Sequence, residues 1–136
     1  MAHIPSFPGV HFGFEAINEL PVELKDRGVD RPLVITDQGL VEHGVCQQLL
    51  DALPADIKVS VFDNIPENPT IAGVEGALAV YQENNCNGII GLGGGSVLDS
   101  GKALRVATNL DLSVIEILND LSKVTADVAP YITIPT

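Results

Sequence analysis

The run of three glycines at positions 93 to 95 constrains the fold more than any other feature of this sequence. The run stands between a short apolar segment and a helical pattern. Glycine adopts positive φ without steric cost and leaves room for a ligand that a Cβ would exclude. Ser96 occupies the position expected of a helix N-cap, and Asp99, three residues later, completes a capping box. The stretch therefore predicts a strand, a tight turn and a helix whose first amides are free to hold a phosphate.

Two better-known phosphate-binding patterns do not fit this loop. Counting from Gly91 places Ser96 where the fingerprint GxGxxG has its third glycine, and no Lys-Ser or Lys-Thr pair follows at Walker A spacing. A strand-to-helix turn that holds no ligand therefore stays open as the alternative. For Lys102, we prefer an i,i+3 ion pair with Asp99 over a role in fixing the loop or its ligand.

Short apolar runs alternate with helical patterns along the chain. The predicted strands are rich in β-branched residues and lie at 33–36, 58–62, 89–92 and 131–134. One helix is expected beyond Asp37, from Gly39 to Leu53. An irregular or edge strand is expected at 4–12, and either a strand or a helical turn at 109–129. This order predicts one α/β domain, a parallel sheet with helices on both faces, in which ligands gather beyond the carboxyl ends of the strands.

Composition and charge narrow the range of partners. The 136 residues carry a formal net charge of −11, which disfavours binding to nucleic acid or to an anionic membrane surface as the main function. Cys46 and Cys86 are far apart and lack CxxC spacing, so neither a disulfide framework nor a zinc site is expected. We see neither a signal peptide nor an apolar run of membrane-spanning length. The expectation is a soluble protein with reduced thiols in the cytoplasm.

Four motifs resemble those of one enzyme family. The segment 93–102 resembles the GGGSxxDxxK motif of the iron-dependent (group III) alcohol dehydrogenases. Residues 34–40 resemble the first strand and turn of that family, and 62–70 resemble its F-D-x-V-x-x-N-P-T loop. Residues 130–136 resemble the strand that leads into its P-T-T segment. The resemblance covers almost the whole chain, with the motifs in the family's order.

The resemblance implies a Rossmann-like, dinucleotide-binding domain spanning 1–136. It implies that Gly94, Gly95 and Ser96 hold the pyrophosphate of the cofactor, and that Asp37 approaches the adenosine ribose. A carboxylate at Asp37 accepts hydrogen bonds from a 2′-hydroxyl and repels a 2′-phosphate, which favours NAD over NADP. An Asx-type turn is the alternative role of Asp37.

Three further cofactor contacts are implied by the same resemblance. Asn68 has the alternative of initiating a turn before Pro69, and Asp99 has the alternative of only capping its helix. Thr136 matches the first threonine of the P-T-T segment.

The sequence departs from the family in its metal site. The family holds a divalent metal, usually iron, with one Asp and three His of a helical half, and His3, His11 and His43 match none of those positions. We therefore predict a truncated chain that binds the dinucleotide but has no catalytic residues of its own. In the complete enzyme, hydride would pass between an alcohol or aldehyde substrate and the nicotinamide, with the metal holding the oxygen.

Other functions stay open beside this one. A non-catalytic module for association or regulation, with a vestigial glycine loop, is the main alternative, and a homodimer is among the assemblies that the sequence allows. The GGGS loop argues, by resemblance, against glycerol dehydrogenase-like or dehydroquinate synthase-like chemistry.

Overall fold

A computed structural model describes residues 16–66, 70–108 and 129–136 of the chain. The expectations for 4–12, for Asn68 and for 109–128 lie outside these ranges. A 3-10 turn, Ala16–Glu19, comes first. The elements that follow are α1 (Leu20–Asp26), β1 (Pro32–Ile35), α2 (Gln38–Glu42), α3 (Val45–Asp51), β2 (Ser60–Phe62), α4 (Ile71–Glu83), β3 (Gly88–Gly93), α5 (Gly95–Ala107) and β4 (Tyr131–Pro135).

The strands form one parallel sheet in the order β2-β1-β3-β4. Val34 of β1 lies opposite Val61 on one side and Ile90 on the other, so β1 and β3 occupy the middle. Both central strands are buried along their whole length, as expected for apolar strands covered on two faces. The predicted parallel sheet is confirmed.

Helices cover both faces of the sheet. Successive side chains of a strand point to opposite faces, so each central strand packs against helices on both sides. On one face, Leu33 and Ile35 of β1 pack with the core residues of α4 and α5. On the other face, Val34 and Ile90 pack with Leu24 of α1 and the core residues of α3. The predicted α/β, Rossmann-like arrangement with helices on both faces is confirmed.

The single helix expected between Gly39 and Leu53 is two helices instead. Gly44 adopts a left-handed conformation, with φ of 78°, and separates α2 from α3. The apolar spacing continues through Gly44, which is why the sequence pattern alone suggested one helix. In the described ranges, α4 and α5 have 13 residues each, and no described helix combines the length and apolarity needed to span a bilayer.

A polar network ties the elements together where the central strands begin. The Asn87 side chain accepts a hydrogen bond from the backbone N–H of Arg31 at 2.9 Å. Its amide nitrogen donates to the Gly28 carbonyl at 3.2 Å and to Asp30 Oδ1 at 2.8 Å. One side chain thereby joins the turn after α1 to the starts of β1 and β3.

Candidate functional site

A cleft of about 410 Å³ opens at the carboxyl ends of β1, β2 and β3. We refer to it as the cleft. Its lining comes from three loops, and consists of Asp37, Gly39, Ile65, Pro66, Gly94, Gly95, Ser96 and Val97. Parallel strands bring all of their strand-to-helix turns to the same end of the sheet, which is where the sequence placed the chemistry.

The three consecutive glycines of the loop meet different demands. Gly93 has φ of +155°, and a Cβ there would lie 2.8 Å from Val97 Cγ2, so the turn and its packing both require glycine. A Cβ at Gly94 or Gly95 would meet no atom within 4 Å. Gly94 and Gly95 line the cleft and are exposed, so the absence of a side chain keeps the cleft open rather than serving the protein's own packing.

Helix α5 begins earlier than the sequence pattern predicted. Gly94, with φ of −86° and ψ of −165°, is the N-cap residue, and no side chain caps the helix. Ser96 therefore lies inside the first turn, and the predicted capping box with Asp99 is wrong. The physical reason is that the extended backbone of Gly94 leads directly into the helix at Gly95, one residue before Ser96.

The first turn of α5 consequently has amides without intrahelical partners. The first main-chain bond into the turn runs from the Leu98 N–H to the Gly94 carbonyl, at 3.1 Å. The N–H groups of Gly95, Ser96 and Val97 precede that bond, and all three residues line the cleft. Such a helix end favours an anion by its free donors and by the positive end of its dipole.

Asp37 lines the cleft together with the glycine turn and caps α2. Its Oδ1 accepts a hydrogen bond from the Leu40 N–H at 2.9 Å, which is the Asx-type role that the sequence left as an alternative. Capping occupies one of the two carboxylate oxygens. The half-buried carboxylate therefore caps the start of α2 and still contributes an acceptor to the cleft lining.

Two of the other predicted site residues, Asp99 and Thr136, are not among the residues that line the cleft, and Asn68 lies outside the described residues. Asp99 is exposed, and its Oδ1 lies 3.7 Å from Lys102 Nζ, which is the ion pair preferred from the sequence. Thr136 is exposed, and its backbone N–H donates to the Gly93 carbonyl at 3.1 Å. The structure thus brings together Asp37, Gly94, Gly95 and Ser96.

Tyr131 of β4 contacts the helix that carries the glycine turn. The sequence reasoning missed this role, because it assigned Tyr131 only to a strand. Its hydroxyl donates to the Leu98 carbonyl of α5 at 2.9 Å. A Cβ at Gly101 would lie 2.7 Å from Tyr131 Cε1, and one at Gly91 would lie 3.0 Å from it. Gly101 was the sequence signal that could have indicated this contact, because glycine within a helix is unfavourable unless a neighbouring side chain needs the space.

Comparison with known proteins decides the family. The sequence profile of iron-containing alcohol dehydrogenases matches residues 8–136. The chain belongs to the iron-containing alcohol dehydrogenase family. The resemblance inferred from the four motifs is thereby confirmed.

Individual members of the iron-containing alcohol dehydrogenase family resemble this chain along almost all of its length. It is 36% identical over 139 residues to a 4-hydroxybutyrate dehydrogenase of Cupriavidus necator, covering 100% of this chain and 36% of the relative. It is 33% identical over 127 residues to a lactaldehyde reductase of Escherichia coli (strain K12), covering 92% and 33%. The chain therefore spans about a third of the length of these relatives.

Solved structures of similar proteins share the fold. A sulfoacetaldehyde reductase from Bifidobacterium kashiwanohense, in complex with NAD+, superposes with a TM-score of 0.80 at 25% identity, covering 90% of this chain and 32% of that protein. A 1,3-propanediol oxidoreductase superposes with a TM-score of 0.79 at 27% identity, covering 91% and 32%. This chain thus has the sheet and helices of alcohol dehydrogenase structures.

The described residues do not fit the metal that gives the iron-containing family its name. Within the three described ranges, no group of three or more His, Cys, Asp and Glu side chains is placed to hold a metal ion. Cys46 and Cys86 are buried free thiols, and burial raises the pKa of both above the usual thiol value. We therefore derive no chemical step through a metal.

Proposed function

We propose that this chain binds the adenosine diphosphate portion of NAD in the cleft, as the dinucleotide-binding part of an alcohol dehydrogenase. The observation that carries the proposal is the pair Gly94 and Gly95. Neither residue is glycine for internal packing or for positive φ, and both leave the free amides of α5 open to the cleft. The NAD+ complex of the similar sulfoacetaldehyde reductase supports the choice of ligand.

Main-chain groups would hold the pyrophosphate. No Lys or Arg is among the residues that line the cleft in the described chain, and the whole protein is strongly acidic. The N–H groups of Gly95, Ser96 and Val97 supply the donors, and the dipole of α5 supplies the favourable potential. A polyanion can therefore bind to this acidic protein because the local field at the helix end differs in sign from the net charge.

The cleft residues that follow β1 and β2 would select the nucleoside. We assign Asp37 to the ribose, where a carboxylate oxygen accepts from the 2′-hydroxyl and repels a 2′-phosphate, so NAD is favoured over NADP. Ile65 and Pro66 provide apolar surface next to it for the adenine ring. Asn68, Asp99 and Thr136 stay predictions as contacts, as do the homodimer and the cytoplasmic location.

Activity belongs, in this proposal, to a longer protein of the kind that the relatives represent. In that longer protein, a bound nicotinamide would supply hydride transfer to or from an alcohol or aldehyde substrate, and a divalent metal such as iron would be held by residues outside those described. The described residues bind and orient the cofactor. We assign them no step of proton transfer.

Isothermal titration calorimetry of the 136-residue chain with NAD, ADP-ribose and NADP tests the proposal. We expect NAD and ADP-ribose to bind with similar Kd, because both carry the adenosine diphosphate portion, and NADP to bind about tenfold more weakly or worse. Gly95→Val should abolish most of the binding without unfolding the chain, since its side chain would enter open cleft space.

Ala72→Val is the matched control for Gly95→Val. Ala72 is an exposed residue of the first turn of α4 and does not line the cleft. Its substitution should leave Kd unchanged. If the unmodified chain binds neither NAD nor ADP-ribose at millimolar ligand, the proposal is wrong, and a monomer that ignores nucleotide would favour the association or regulatory alternative.

A further inference from the structure

We propose that Tyr131 is a positioning residue for the nucleotide site: through Leu98 it holds the first turn of α5 where the amides of that turn bind the pyrophosphate. This inference rests on the proposed function. Tyr131 itself does not line the cleft. Its effect would reach the ligand only through the helix.

Two glycines create a notch for the Tyr131 side chain. Gly91 lies in the central strand β3, and Gly101 lies in the middle of α5. A Cβ at either glycine would lie within 3.0 Å of Tyr131 Cε1. The phenol ring therefore fills the space between strand and helix, and it fixes the separation of β3, β4 and α5.

A hydrogen bond connects the Tyr131 side chain in this notch to the main chain of α5. The Tyr131 hydroxyl donates to the Leu98 carbonyl at 2.9 Å, and the Leu98 N–H donates to the Gly94 carbonyl at 3.1 Å. A continuous chain of two hydrogen bonds thus runs from β4 to the N-cap of α5. Burial raises the pKa of Tyr131 well above that of an ordinary tyrosine, so the hydroxyl keeps the proton that it donates.

Thr136, the residue after β4, makes a second contact with the same turn. The backbone N–H of Thr136 donates to the Gly93 carbonyl at 3.1 Å, immediately before the glycines that line the cleft. Strand β4 and the residue that follows it therefore hold both sides of the turn: Thr136 holds the end of β3, and Tyr131 holds the start of α5. Since free amides bind an anion best when they are already in place, this double attachment would lower the ordering cost of binding.

The chain offers a matched control in Tyr81 of α4. Tyr81 is buried in the same hydrophobic core as Tyr131, and its hydroxyl lies near the Thr108 side chain. Thr108 is the C-cap of α5, whereas Leu98 lies in the first turns of that helix. Tyr131→Phe and Tyr81→Phe each remove one hydroxyl from this core, but only the Tyr131 hydroxyl bonds to α5 at the end that faces the cleft.

The experiment compares Tyr131→Phe with Tyr81→Phe by two measurements on the whole 136-residue chain. Calorimetry gives the Kd for ADP-ribose, and amide hydrogen exchange without ligand gives the local stability of α5 residue by residue. For Tyr131→Phe, we expect Kd to rise about three- to tenfold, the range for one lost hydrogen bond, and exchange to quicken at the start of α5. For Tyr81→Phe, Kd should stay within about twofold, and exchange at the start of α5 should keep its rate.

The outcomes separate this inference from the function on which it rests. If the unmodified chain binds ADP-ribose and Tyr131→Phe binds it equally well, the positioning role is wrong and the proposed function stands. If both variants lose affinity equally, Tyr131 acts only through general stability and the inference is again wrong. If the unmodified chain does not bind, both proposals fall.

Discussion

The two ends of the sheet use polar groups in opposite ways. At the amino end, Asn87 bonds with Arg31, Gly28 and Asp30, so that side chain and main chain satisfy one another. At the carboxyl end, the first-turn amides of α5 have no cap, and Gly94 and Gly95 leave them exposed. The contrast teaches that polar groups satisfy one another where the central strands begin, whereas the donors at the start of α5 stay unpaired where the strands end, which is where parallel sheets bind ligands.

The largest expected effect sharpens this contrast within α5 itself. Gly101→Ala should destabilise the chain by about 3 kcal/mol, because the added Cβ overlaps the Tyr131 ring in a packed core. Gly95→Ala, the same substitution at the cleft, should leave stability unchanged or raise it by up to about 1 kcal/mol, since alanine is the better helix former and meets no atom. Urea unfolding of both variants gives the two free energies. Equal losses would contradict the division into packing glycines and cleft glycines.

The next prediction tests the amino end alone. Asn87→Ala should lower the free energy of unfolding by about 2 kcal/mol, since three hydrogen bonds are lost and two of them are exposed to solvent. The Kd for ADP-ribose should not change once the variant is folded. Asn84→Ala is the control, because it removes one exposed bond to the Val80 carbonyl and should cost less than about 1 kcal/mol. A weaker Kd in Asn87→Ala would show that the two ends are not independent.

A third prediction concerns selectivity at the carboxyl end. Asp37→Asn should improve NADP binding relative to NAD by about tenfold, because the charge that repels a 2′-phosphate is gone. Stability should hardly change, since asparagine also caps a helix and the bond to the Leu40 N–H is retained. Calorimetry with both nucleotides measures the ratio, and Asp56→Asn, at an exposed residue that does not line the cleft, controls for the loss of one charge. An unchanged ratio would leave Asp37 as a helix cap only.

Local patterns in the sequence predicted the framework of this fold but not its long-range contacts. The strands Pro32–Ile35 and Gly88–Gly93 could be predicted from the sequence, because a buried parallel strand needs a continuous apolar run. The cleft position followed, since the strands set where the loops meet. Tyr131 could not be read in this way, because its partner Leu98 lies 33 residues earlier in the chain.

Two local predictions failed because backbone geometry overrode a side-chain pattern. Ser96 with Asp99 fits a capping box by spacing, yet the glycine turn starts α5 before that box begins. Apolar periodicity does not indicate the break at Gly44, because a left-handed residue interrupts the helix without changing which positions are apolar. Glycine permits several conformations, and only the packing around it selects one.

The smallest expected effect is a loss of stability in alkali that involves both ends. Cys86 precedes Asn87 at the amino end of the sheet. Cys46 lies in α3, and the negative charge of Asp63, which follows β2, helps to raise the pKa of its thiol. Burial is the main cause that raises the pKa of each thiol. The folded chain therefore keeps these protons to a higher pH than the unfolded chain, whose thiols ionise near their ordinary pKa of 9.0.

The sign of the pH dependence follows from this difference in proton binding. Above pH 9 the folded state binds more protons than the unfolded state, so stability must fall as pH rises, by at most about 1.4 kcal/mol per pH unit for each thiol. Between pH 7 and 8.5 both states are protonated, and the change should stay below about 0.5 kcal/mol. Urea unfolding at pH 7, 8.5 and 10 measures the profile, and Cys46→Ala or Cys86→Ala should each make the alkaline decline shallower. A profile that rises between pH 8.5 and 10 would mean that the thiols are not buried in the folded chain.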